Sequence, residues 1–69
     1  MNDEFARRVQ KALREEIERL TYELNRGIDG EEATAAASNR LDLLQQYEHE
    51  VRWNNIDEVT DVAGTLGIG

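Results

Sequence analysis

The sequence predicts an all-α protein: an antiparallel helical hairpin, a short third helical segment and an extended C-terminal tail. Three observations carry this. Apolar residues recur at helical spacing through residues 3–26, a second helix-like stretch runs from residue 30 to about 53, and Gly27-Ile28-Asp29-Gly30 breaks the chain between them. A connection that short makes two packed helices antiparallel. Proline is absent throughout, which suits long uninterrupted helices.

In the first helix the stripe is Phe5, Val9, Leu13, Ile17, Leu20 and Leu24, with steps of 4, 4, 4, 3 and 4. That is helix period on one face. Ala6 and Ala12 border the stripe and permit close approach of a neighbour. Asn2 or Asp3 can cap the start, where Asp3 and Glu4 complement the positive helix end. Opposite charges pair at helical spacing, as in Glu4 with Arg7 and Arg8, Lys11 with Glu15, Arg14 with Glu18, and Glu15 with Arg19. At about 0.2–0.5 kcal/mol per pair, these mark a solvated face.

In the break, Gly27 can close the first helix in the left-handed conformation. Asp29 can open the next, with Glu32 completing a capping box. Ile28 can pack back on Leu24 and forward toward Ala33. The second helix starts alanine-rich, and its apolar line runs Ala33, Ala37, Leu41, Leu44, Tyr47 or Glu48, and Val51. The alanines are expected to face Leu20 and Leu24, and the leucines Val9, Leu13 and Ile17, small opposite large.

Asn54-Asn55 reads as a break, and Asn55 with Glu58 repeats the capping pattern. A third helix from Ile56 to about Ala63 would bury Ile56, Val59 and Val62 or Ala63 and stop at Gly64; a bent continuation of the second helix fits equally. The domain is therefore set at 1–63. Residues 64–69, with glycines around Leu66 and Ile68, form a flexible or partner-docked tail. On this reading, cutting after Ala63 leaves helicity nearly intact and weakens assembly.

With 69 residues the chain forms one domain at most, burying only about 60% of its unfolded surface. Small proteins usually add disulfides, metal or a partner. Cysteine is absent and His49 is the single histidine, which leaves oligomerisation or docking. No apolar run approaches the ~20 residues of a membrane span, and no signal-peptide core follows the N-terminus. A cytoplasmic setting is expected.

Charge is uneven. Residues 1–26 hold six basic and six acidic side chains, whereas residues 27–69 hold two basic and nine acidic, so the net −7 sits in the second half. Arg7, Arg8, Lys11 and Arg14 cluster near the start, where they can neutralise the acidic end of the second helix or align subunits head to tail. Direct nucleic-acid binding is not expected, because neighbouring acids and the net charge repel phosphate.

No nucleophile–base pair or cofactor motif stands out, so catalytic, cofactor and metal sites are all read as none. His49 lies between Glu48 and Glu50 on a polar face, and the position three before it is Gln46, not the acid that di-iron bundles use. The partner-binding residues are read as Phe5, Leu43, Tyr47 and Trp53, side chains that two helices cannot fully cover, with Leu66 and Ile68 in the tail. Trp53 admits a second role, closing the open end of the hairpin.

The charged first helix ending Leu24-Asn25-Arg26-Gly27, and the run Asn39-Arg40-Leu41-Asp42-Leu43-Leu44-Gln45-Gln46-Tyr47, span about half the chain. In these the layout resembles small helical-hairpin proteins that tailed bacteriophages encode among their virion genes. The resemblance implies a capsid, neck or tail accessory role, hence a virion location, and carries over no functional residues. The expected function is a non-enzymatic structural or adaptor protein, a homo-oligomer or a subunit of a larger complex. The alternative is a small acidic inhibitor, a DNA mimic filling a basic groove on a target. A mimic would gather its acids on one face, whereas helical phase spreads Asp42, Glu48 and Glu50 around the second helix.

Overall fold

The computed structural model describes residues 2–68, without the side chain of Asn2. Three helices follow in order, α1 (Asn2–Arg26), α2 (Glu31–Glu50) and α3 (Ile56–Leu66), and no strand occurs among the described residues. Of the two expected caps of α1, the Asn2 side chain lies outside that description.

The α1 stripe packs on both later helices. Val9, Leu13 and Leu20 of α1, Leu44 of α2, and Val59, Val62 and Ala63 of α3 form one closed core. The second helix supplies one buried side chain because its first turns are alanine. Ala33, Ala35 and Ala36 are exposed, so the expected seat of Ala33 against the end of α1 is not formed. α2 first meets the core at Ala37 and Leu41, and α3 ends beside Ala12, Glu15, Glu16 and Arg19, so no third helix covers the alanine-rich first turns of α2. The radius of gyration, 13.0 Å, exceeds the roughly 11 Å of a compact globule this long.

Gly27 and Gly30 both take positive φ, 94° and 99°. L side chains avoid that region, so the break is built on its two glycines. The expected capping box of Asp29 and Glu32 does not form. Gly30 is the N-cap of α2, with no side-chain cap hydrogen bond, so the helix opens one residue later than expected. The Thr34 hydroxyl donates instead to the Gly30 carbonyl at 2.8 Å.

The second helix ends at Glu50, three residues before the expected end. Val51 turns extended while its N–H still donates to the Tyr47 carbonyl. A turn closed by Asn55 N–H donating to the Arg52 carbonyl then leads into α3. Asn55 caps α3 as expected, accepting from the N–H groups of Asp57 at 3.0 Å and Glu58 at 3.3 Å. Glu58 reaches further back than a capping box, to the Arg52 N–H at 3.2 Å. Removing this cap in Asn55→Ala is expected to cost about 1 kcal/mol, read as a lower urea midpoint with an unchanged slope.

Two expectations about α3 are corrected. Ile56 is 41% exposed, not buried. It stands in the first turn, where Cα–Cβ bonds lean toward the helix N-terminus and so over the preceding turn rather than onto α1. The helix also runs through Gly64 to Leu66, so residues 64–68 are not an extended tail; Gly69 lies outside the described residues. Gly67 takes the left-handed conformation at φ 76°. The Ile68 N–H donates to the Ala63 carbonyl at 2.9 Å and the Gly67 N–H to the Gly64 carbonyl at 3.2 Å. That pair of bonds is a Schellman cap. Gly64 is tolerated inside the helix because the turn after it is held from α2.

Candidate functional site

The surface this fold leaves open follows from what α3 covers. Phe5, Tyr47, Trp53, Leu66 and Ile68 are half-buried and pack against the core, so five of the six expected partner residues also serve the protein's own interior. Tyr47 is fixed further by its hydroxyl, 3.2 Å from Thr65 Oγ1. Leu43 is different: it is 39% exposed. One position away, Leu44 is fully buried, because α2 turns that side to α1 and α3.

Tyr22, 60% exposed, and Ile56 join Leu43 as the exposed large apolar side chains among the described residues. Sequence reasoning passed over Tyr22, although its position between Leu20 and Leu24 places it off the α1 stripe. Arg26 lies over its ring, 5.7 Å from the centroid, a cation–π distance. Arg19, Glu23, Gly27 and Ile28 complete a shallow cleft around this pair.

Arg40 joins the three helices. Its Nε lies 3.5 Å from Glu16 Oε1 on α1, and its Nη2 donates to the Thr65 carbonyl on α3 at 3.4 Å. A cation at the C-terminal end of α3 also meets the negative pole of that helix. Glu16 in turn holds Arg19, which also reaches Glu23 at 2.7 Å. Arg19 thus pairs with Glu16 and Glu23 rather than with the expected Glu15, and of these two Glu16 also holds Arg40 of α2.

The hydrogen bond from Arg19 is the main cause holding the Glu16 carboxyl below its ordinary value, aided by the charges of Arg19 and Arg40 and opposed by partial burial. A carboxyl whose folded value is depressed contributes stability above its unfolded value and loses it as pH falls through the folded one. Thermal melts are therefore expected to drop as the pH is taken below the ordinary glutamate range. Glu16→Gln is expected to flatten that part of the profile; an identical acid limb in the variant would dismiss the linkage.

Arg7, Arg8, Lys11 and Arg14 are exposed. The ion pairs among the described residues involve Arg19, Arg40 and Arg52 alone, so the basic cluster is not neutralised by α2. The acids after residue 26 are spread over α2, α3 and the turn before α2, and Glu58 with Arg52 is their one ion pair among the described residues. His49 is exposed beside Asp42, Gln45, Gln46 and Glu50 in an open depression of α2. Among the described residues no group of three or more His, Asp or Glu side chains gathers as a metal site, and no helix is long and apolar enough to cross a membrane.

No protein-family model, curated protein or solved structure matches this chain. The surface carries separate exposed apolar side chains, a basic face on α1 without ion pairs among the described residues, and acids over α2 and α3.

Proposed function

We propose that this chain is a non-enzymatic structural or adaptor protein that acts by protein–protein contact, through copies of itself or within a larger assembly. The observation that supports it is the division of its apolar residues. A three-helix core closes around Leu44, yet Leu43, Ile56 and Tyr22 stay outside. Large side chains held on rigid helices are suited to anchor a partner at little entropic cost. In this reading the antiparallel pairing of α1 and α2 is a rigid stem. Leu43 remains a partner residue, with Ile56 and Tyr22 added, whereas Phe5, Tyr47, Trp53, Leu66 and Ile68 touch a partner only by their exposed edges. A virion accessory role is the part of the reading that rests on the bacteriophage resemblance.

The test is a photo-cross-linking amino acid placed at Leu43 or Ile56 in the cell that makes the protein. Discrete protein adducts from these positions are expected. If neither position gives an adduct, the contact reading fails.

The acidic-inhibitor reading stays as the second proposal because, after residue 26, eight of nine acids carry no ion pair among the described residues. It calls for a basic target whose binding weakens steeply with salt, whereas apolar docking does not.

A further inference from the structure

Glu50, Glu58 and Asp61 rim a shallow groove between the end of α2 and the start of α3, with Tyr47 and Val51 in its lining. Tyr47 and Val51 are half-buried and pack against the core, so the floor is apolar and fixed. Glu58 is already engaged, 3.4 Å from Arg52 Nε. Glu50 and Asp61 are exposed and have no ion pair among the described residues.

The complementary surface is on α1. Arg7, Lys11 and Arg14 stand at i, i+4 and i+7, which puts them along one helix face over about 10 Å, with Arg8 at its side. All are exposed and none is ion-paired among the described residues. Helical phase sets this face away from Val9, Leu13 and Leu20, the side that α2 and α3 cover. The basic face therefore points away from the molecule's own groove, and the two can meet only between molecules.

We propose that the groove rimmed by Glu50 and Asp61 receives the Arg7–Lys11–Arg14 face of a second copy of this chain. The inference rests on the protein-contact reading above and names the partner. Arginine and lysine stems lie against the Tyr47 and Val51 floor while their charged heads reach the rim, and a guanidinium over Tyr47 adds a cation–π contact. Glu4 and Glu18 bound the basic face at either end and limit the register. Because the two surfaces face away from each other on one molecule, two copies cannot close both contacts at once, so the contact is heterologous and repetition builds an open chain or a ring rather than a two-fold dimer.

The experiment is absolute mass by light scattering over a concentration series, at about 0.1 M and about 1 M salt, where the screening length falls from about 10 Å to about 3 Å. Species larger than the 7.9 kDa chain are expected at low salt, with association at least roughly tenfold weaker at high salt. Two neutralised variants then assign the surfaces. Arg7→Gln/Lys11→Gln/Arg14→Gln and Glu50→Gln/Asp61→Asn should each be monomeric, with unchanged helicity. Mixed together they retain one intact basic face and one intact groove, and should give a 1:1 dimer and nothing larger. A wild-type monomer at every concentration overturns the inference, as does an oligomer that persists at high salt or a mixture that stays monomeric. The photo-cross-links at Leu43 and Ile56 report on the broader reading independently, since they require no self-association.

Discussion

Leu44→Ala is expected to cost about 3 kcal/mol, within the 2–5 kcal/mol range of buried leucine truncations. Leu44 is fully buried and is the single core side chain supplied by α2. The truncation removes apolar burial and leaves a cavity facing both α1 and α3, which collapse closes only in part. A chain of 69 residues at about 0.05–0.15 kcal/mol per residue has roughly 3–10 kcal/mol in all. The variant therefore loses from roughly a third to all of its stability. Its melting temperature should fall by about 10–25 °C, given about 4–8 °C per kcal/mol in small domains. The neighbouring Leu43→Ala is the control, expected to lie within about 0.5 kcal/mol of the parent because Leu43 is outside the core. Urea unfolding of the two variants checks both. Equal losses would mean that α2 is rotated from the phase described.

Removing residues 64–69 is expected to destabilise the whole fold, not merely shorten it. The cut deletes the last turn of α3, both Schellman hydrogen bonds, the burial of Leu66 and Ile68, and the Thr65 contacts to Tyr47 and Arg40. Two partly buried aliphatic side chains at about 1 kcal/mol each, with about 0.5–1.5 kcal/mol for each of the four hydrogen bonds, sum to roughly 4–8 kcal/mol, part of which the regained chain entropy of the removed residues offsets. Circular dichroism of the chain ending at Ala63 should show helix lost beyond the missing turn and a much lower urea midpoint. Retained helicity with an unchanged midpoint would restore the tail reading.

Those two effects also separate what the sequence makes legible from what it does not. The end of α1 at Arg26, the glycine break, the Asn55 cap and the burial of Val59 with Val62 or Ala63 rest on spacings within a few residues; the structure has them, with both Val62 and Ala63 buried. The end of α3 rests on contacts between distant segments. Gly64 reads as the stop because the first glycine after an apolar run usually is one. The chain passes through it because Arg40 and Tyr47, far earlier in sequence, hold Thr65. A local signal was present all the same: Gly67 is followed by Ile68, the apolar residue that accompanies a Schellman cap.

The surface was less legible for the same reason. Listing the side chains that two helices cannot cover presupposes that the third covers none of them. Once α3 extends to Leu66, Tyr47, Leu66 and Ile68 are drawn into the packing with Phe5 and Trp53, and of the six Leu43 alone stays outside it. Ile56 goes the opposite way, since being in the first turn of α3 leaves it outside. The unpaired basic face of α1 could be read from residue spacing, but its separation from the acidic groove depends on how three helices are placed.

Which surface is free for a partner turns on whether residues 64–68 belong to the core, and native-state hydrogen exchange measures that most directly. The Gly67 and Ile68 amides should exchange only through global or near-global unfolding, with an opening free energy close to that of the Leu44 amide. Exchange at the rate of an unprotected peptide would place Leu66 and Ile68 in solution and contradict the three-helix account.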